Sequence, residues 1–302
     1  MSRLAVTVLM GGPDAEREVS VASGIAVTTA LEQSGKFDVT SQRIDCPTER
    51  EIADINTDVV FPALHGPFGE GGPLQSMLEL ARIPFVGSSS RVSRNAMDKV
   101  MTKQIASQID IPTPPWCVIT VDDPCTIQPP LVLKPINDGS SVDMAICFNS
   151  DQVTSARNRL HQVRPTLLAE SYVGGREITV SIIDGTPLPI IEIIPPADLQ
   201  TYDFAAKYER DDTRYVIDPH LPENNCIDLA MQLYQVMGVQ DIARVDFIID
   251  RSGDWLLELN TMPGFTDHSL VPMAAKHAGV EMPELCAQLV EVASKRTSSA
   301  GV

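Results

Sequence analysis

Short apolar runs and helix-period segments alternate along this chain, and their order predicts its elements. Leu4–Met10 is a near-continuous apolar run of the buried-strand type, Gly11-Gly12-Pro13 is a tight turn, and a helix rich in small residues starts near Glu16. Asp58–Leu64 reads as a second apolar strand ending at His65-Gly66, followed by a helix over Leu74–Ala81 and a strand at Pro84–Val86. That βα order implies a mainly parallel sheet. The Gly87-Ser-Ser-Ser break sets a first boundary near residue 90. A helix over Ala96–Ser107 then leads through proline-rich Ile111–Trp116 to strands at Leu131–Lys134 and Met144–Phe148. A helix near 151–163 and a strand at Thr166–Glu170 complete a small α+β module that ends near residue 175. The remainder predicts strands at 177–183 and 188–193, an irregular stretch from Pro195 to Tyr215, a helix over 225–238 and a C-terminal helix near 283–296. Three units follow: 1–90, 91–175 and 176–302.

The segment Ala243–Asn260 concentrates acidic groups on one hairpin, with strands at Val245–Ile249 and Trp255–Leu259. Alternation places Arg244 and Asp246 on one face, and Glu258 and Asn260 on one face of the returning strand. A three-residue turn with Gly253 left-handed pairs residues 250 and 254, which sets Asp246 opposite Glu258 and Arg244 opposite Asn260. Two carboxylates and an amide on one face are hard oxygen donors of the type that suits Mg²⁺. A solvated hairpin face would carry the same residues.

Composition narrows the classes. The chain is 43% apolar and 21% charged, ordinary for a globular protein, with a net charge of −17 that disfavours nucleic acid and anionic membrane. Six cysteines contain no C-x-x-C pair, so neither a zinc knuckle nor a redox motif is indicated. No apolar run approaches the roughly 18–20 residues of a spanning helix, and a cytoplasmic location with reduced thiols is expected.

Several further residues can carry chemistry. Lys134 ends a strand before Pro135-Ile-Asn-Asp-Gly139-Ser140-Ser141, where backbone N–H groups and hydroxyls can meet a phosphate; a polar turn with a snorkelling lysine is the alternative. Neither a Walker A nor a G-x-G-x-x-G sequence is present. Lys99 falls inside a predicted helix, Glu16 at a helix start, and His65 at a sheet edge where parallel-sheet proteins place ligands. Lys207 and Tyr208 lie on the long irregular stretch, a place for a closing loop. Pro263–Leu270 could present backbone N–H groups and a hydroxyl to a carboxylate, or be simple turn chemistry. Together, a phosphate loop, scattered lysines, an acidic face and one arginine suit phosphoryl transfer to a carboxylate followed by capture of the activated acyl group.

With these residues in view, the chain resembles the D-alanine–D-alanine ligases of the ATP-grasp superfamily over nearly its full length. The resemblance rests on ordered segments: Gly11-Gly12-x-x-Ala-Glu16, Leu64-His65-Gly66, Glu70-x-Gly-x-Leu-Gln, Met97-Asp98-Lys99, Lys134-Pro-x-x-x-Gly139-Ser140-Ser141-Val, Ala206-Lys207-Tyr208, Arg244-x-Asp246, Glu258-x-Asn260-Thr-x-Pro-Gly264 and His268-Ser269-Leu270. It implies a three-domain α/β and α+β ATP-grasp architecture with an N-terminal parallel-sheet domain, ATP between the other two domains, and a homodimer. By resemblance, Lys99, Lys134 and Ser141 would contact nucleotide phosphates, Glu170 through Val173 would lie along the adenine, and Glu177 would sit at the ribose. Asp246, Glu258 and Asn260 would hold two Mg²⁺ ions, with Mn²⁺ as the alternative. Glu16 would hold the first D-alanine in a set with Ser140 and Tyr208, and Arg244 and the Gly264 N–H would face the oxyanion. His65, Lys207, Ser269 and Leu270 would line the substrate sites.

The implied activity is ATP-dependent formation of D-alanyl-D-alanine, a peptidoglycan precursor, through an acyl-phosphate. Tyr208 favours D-alanine as second substrate, with D-serine or D-lactate, or a nucleotide-binding protein with weak catalysis, as alternatives. Three positions depart from the family pattern: Asp143 stands where glycine is expected, Ser171 where lysine is usual, and Ala205 where an acid is usual. A left-handed backbone at Asp143 would cost more than at glycine.

Overall fold

Residues 3–139, 143–196, 212–221, 224–266 and 268–296 are described by the computed structural model. The N-terminal sheet has the order β2-β1-β3, with β1 (Leu4–Gly11) paired in parallel to both β2 (Phe37–Ile44) and β3 (Val59–Pro62). Strand β1 is buried from Val6 onward and β3 is buried throughout, which is why both show as apolar runs. Edge strand β2 buries only Phe37, so its Asp-Val-Thr-Ser-Gln-Arg sequence carries no apolar signal. The strand expected at Pro84–Val86 is a single bridge, Val60 to Phe85. The turn after β1 requires glycine: Gly11 has φ +102°, and a Cβ there would meet the Ile44 carbonyl oxygen at 2.6 Å.

The helix expected over 96–107 is two helices, Ser90–Met97 and Lys99–Gln108. Asp98 interrupts them with ψ 101°, and its carboxylate accepts the Met101 N–H at 3.0 Å. Lys99 is therefore the first residue of a capped helix rather than an interior one. Both helices contribute to an apolar core with Ile178, Val180, Val245 and Phe247.

The second sheet is antiparallel, ordered β4-β7-β5-β6, from β4 (Trp116–Thr120), β5 (Leu131–Pro135), β6 (Ala145–Cys147) and β7 (Thr166–Ser171). Helix Ser150–Leu160 packs on it around Ile119, Leu131, Leu133 and Leu167. The third sheet is ordered β11-β10-β8-β12-β13, with β9 paired to β8. Its strands are β8 (Arg176–Ile183), β9 (Thr186–Pro187), β10 (Ile191–Ile194), β11 (Arg214–Ile217), β12 (Ile242–Asp250) and β13 (Gly253–Asn260).

The β12–β13 hairpin corrects the expected turn. Asp250 pairs Gly253 across a two-residue turn, Ile249 pairs Asp254, and Gly253 has φ +152°, outside the left-handed well. A bulge between Asp246 and Phe247 then shifts the register by one residue. Asp246 thus does face Glu258, and Arg244 does face Asn260, by a route different from the one expected.

Helix Met282–Ser294 closes the fold against the N-terminal sheet, where Leu285, Leu289 and Val290 join Val6, Val8 and Phe61 in one core. All six cysteines are free. Among the described residues no helix is long and apolar enough to cross a membrane.

Candidate active site

A cleft opens between the four-stranded and six-stranded sheets. It is walled by Val132 and Lys134 of β5, Glu170 and Ser171 of β7, Glu177 of β8, Asp246 and Ile248 of β12, and Leu257 and Glu258 of β13. Tyr172, Val173 and Met144 add apolar surface. A smaller recess shares Lys99, Asp138 and Glu258 with this cleft and reaches Glu70, Gly139 and Asn260. Strand pairing sets Glu258 opposite Asp246 and Glu177 opposite Ile248, so these side chains share the sheet face that lines the cleft.

The lysines are held from below. At the start of its helix, Lys99 Nζ donates to the Asp138 carbonyl at 2.6 Å and lies 3.5 Å from Glu258 Oε2. Lys134 Nζ pairs with Glu170 Oε2, and Lys103 Nζ pairs with Glu170 Oε1. Burial pushes the Glu170 carboxyl upward, but the Lys134 and Lys103 ammonium groups outweigh it and leave the group below the usual carboxylate range. The Glu170 side chain thus holds two lysines, while its neighbours Ser171, Tyr172 and Val173 line the cleft.

Asp246 accepts Thr179 Oγ1 at 2.6 Å, Arg244 Nε at 3.0 Å and Asn260 Nδ2 at 3.3 Å. A further Arg244 N–H donates to Asp246 Oδ2 at 2.8 Å, which makes the arginine–carboxylate contact bidentate. Asp246, Glu258 and Asn260 meet on one hairpin face as two carboxylates and one amide. No group of three His, Cys, Asp or Glu side chains able to hold a metal occurs among the described residues, so a cation here would depend on the amide and on ligands from outside the chain.

The third group lies at the C-terminal edge of the parallel sheet. Buried Glu16 occupies the N-cap of helix Arg17–Ser34, and its Oε2 would stand 3.2 Å from a Cβ on Gly139, so the two units approach closely here. His65 Nε2 lies 3.1 Å from Ser23 Oγ and His65 Nδ1 lies 3.2 Å from the Met262 carbonyl. Burial lowers its imidazole to about 4, so the ring is neutral at ordinary pH. Ser23 Oγ also accepts the Phe265 N–H at 3.2 Å, and Ser269 Oγ accepts the Thr266 N–H at 3.0 Å. A Cβ on Gly264 would meet Ser269 Oγ at 2.8 Å, so only glycine leaves the Gly264 backbone open to this approach. Leu270 packs in a core with Ile191, Ile193 and Ala274. Ser140, Ser141, Ala205, Lys207 and Tyr208 lie outside the described residues.

Sequence reasoning assigned no part to three groups here. Glu70 is buried and accepts the Gly66 N–H at 3.1 Å; burial, with Glu16 adding to it, pushes its carboxyl up to about 8. Its only signal was its place in an ordered motif. Lys103 follows Lys99 by one helical turn, a spacing that puts both on one face. Arg164 pairs with Asp138 and lies 3.3 Å from Asp143 Oδ2, which brackets residues 139–142 from both ends. Asp143 has φ +57°, the left-handed conformation anticipated for the expected glycine, and Arg164 compensates its charge.

Comparison with known proteins agrees over the whole chain. A family model described as the D-ala D-ala ligase C-terminus matches residues 105–291, and one described as the N-terminus matches residues 46–88. The D-alanine--D-alanine ligase of Acinetobacter baumannii is 40% identical over 296 residues, covering 95% of both chains. That of Syntrophotalea carbinolica is 37% identical over 297 residues, covering 96% of both. The crystal structure of the Bacillus anthracis D-alanine--D-alanine ligase complexed with ATP superposes with TM-score 0.85 at 28% identity, covering 100% of both chains. The chain belongs to the D-alanine–D-alanine ligase family.

Proposed function

We propose that the chain joins two D-alanines into D-alanyl-D-alanine, with ATP as phosphoryl donor, at the cleft between the two antiparallel sheets. The observation that carries this reading is that Lys99, Lys134, Asp246 and Glu258 line one cleft, Asn260 lies in the recess that adjoins it, and Val132, Met144, Val173, Ile248 and Leu257 give the cleft an apolar wall. Adenine fits against Val173, Tyr172 and Ile248, with Glu177 at the ribose and the phosphates toward Lys134 and Lys99. The oxygen donors of Asp246, Glu258 and Asn260 fit hard divalent cations. Mg²⁺ bound there would neutralise charge on the phosphates during transfer. Asp246 is held by Arg244 in this structure, so release of that arginine would free both groups for their tasks.

In the first step a D-alanine carboxylate oxygen attacks the γ-phosphorus and ADP departs. In the second, the amine of the other D-alanine attacks the acyl carbon, phosphate leaves, and the proton of the ammonium formed passes to the departing phosphate. Glu16 would orient the first amino acid, with Ser140 and Tyr208 as further members of that set. Neutral His65 and Glu70 lie nearby. Arg244 and the Gly264 N–H would stabilise the oxyanion, where preorganised donors count most. Ser269 and Lys207 would hold the second substrate, with Leu270 shaping its wall, and the two bound amino acids would react as neighbours.

The three-part division at residues 90 and 175, a homodimeric assembly and a cytoplasmic location belong to the same proposal. Its test is phosphate release with ATP, Mg²⁺ and D-alanine, together with mass analysis of the product. D-Alanyl-D-alanine is expected. A mixed product with D-serine or D-lactate alone would move the second substrate, and no release with any amino acid would leave nucleotide binding without ligation.

A further inference from the structure

Lys103 is fully enclosed, with 0% relative exposure, on the helix that begins at Lys99. Its ammonium contacts Glu170 Oε1 and Thr113 Oγ1, while Glu170 Oε2 contacts Lys134. One buried carboxylate therefore serves two ammonium groups, and the fully charged cluster carries one excess positive charge. The charged groups that face Lys103 are Glu170 on β7, Lys134 on β5 and Lys99 on its own helix. Thr113, from the connecting segment, adds only a hydroxyl. An uncompensated charge in such surroundings is costly, and two events can relieve it: loss of a proton, or arrival of an anion. Burial lowers the Lys103 ammonium to about 8, with Glu170 opposing and Lys134 reinforcing the shift. Lys134 lines the cleft, and Lys103 stands behind Glu170.

We propose that Lys103 is a positioning residue whose protonation is linked to nucleotide binding. It rests on the ATP reading above. A phosphate at Lys134 supplies the missing negative charge, a proton from solvent then adds to the Lys103 amine to form its ammonium, and that ammonium holds Glu170 in line with Lys134. The only bond made is N–H, and the proton donor is water or buffer.

The test is calorimetric titration of the protein with ADP and Mg²⁺ near pH 8, in two buffers that differ in ionisation enthalpy, with the pH chosen to match the lowered lysine value. Wild type is expected to take up a fraction of a proton, about one half at most when pH equals the free-state value. Lys103→Arg keeps the charge but cannot release its proton, so it should bind ADP with no uptake. Lys103→Met should bind several-fold more weakly below pH 7, with an affinity that no longer changes across pH 7–9. Uptake that persists in Lys103→Arg, or no uptake by a wild type that binds ADP, overturns the proposal. Absence of ADP binding to wild type instead overturns the ATP reading on which it rests. Should Lys103→Met fail to fold, the Lys103→Arg comparison decides alone.

Discussion

Asp143 shows how a single residue can obey local stereochemistry at a cost and be compensated by a neighbour. Its left-handed backbone is one that non-glycine residues adopt at about 1 kcal/mol or more, and its carboxylate beside Arg164 stands next to the stretch expected to meet phosphate. Asp143→Gly should lower the KM for ATP; an unchanged or higher KM, read from initial rates, would show that Arg164 accommodates the carboxylate fully. Glu70 and His65 act in opposite directions on stability. The folded state holds Glu70 at about 8 against an ordinary 4.5, so it binds more protons than the unfolded chain between those values, and stability falls as pH rises through them. His65, lowered to about 4 from 6.5, makes stability rise with pH between those values, so the two offset until about 6.5. Of the two, Glu70 alone contributes from pH 6.5 to 8, at most about 1.4 kcal/mol per pH unit. Glu70→Gln should flatten the loss of stability over that window, measured by urea unfolding at several pH values. Retention of the wild-type slope would place the titrating group elsewhere.

At the scale of elements, period and punctuation were legible wherever an element was buried on one face or throughout. Strands β1, β3 and β12 and helix Cys226–Met237 follow their apolar patterns closely. Edge strand β2, with seven of eight positions not fully buried, had no such pattern to show. The split at Asp98 was hidden because Met97-Asp98-Lys99 suits a helix interior as readily as a cap, and only the extended ψ at Asp98 separates them. The acidic hairpin is more instructive. Its facing pairs were derived from a three-residue turn, whereas a two-residue turn and a bulge bring the same residues opposite each other. Alternation along each strand constrains which residues share a face, but the unpaired residue at a bulge leaves no mark in the pattern.

In the whole molecule, the last helix completes the first sheet. Leu285, Leu289 and Val290 are fully buried against Val6, Val8 and Phe61, so the N-terminal sheet lacks part of its core without residues from the far end of the chain. A fragment of residues 1–90 should therefore stay unfolded by circular dichroism and fold only when a peptide spanning 282–294 is added. Cooperative unfolding of the isolated fragment would contradict this. By itself the sequence determined the βα beginning, most of the later strands and helices, the acidic hairpin face and the ordered motifs that mark the ligase family, because period, turn residues and spacing are local properties. Tertiary structure alone decided which groups meet. It set Glu170 between two lysines, Arg164 across the ends of residues 139–142 and Glu16 beside Gly139. Those contacts join residues far apart in the chain, and burial and charge at such meetings depend on packing that no local pattern encodes.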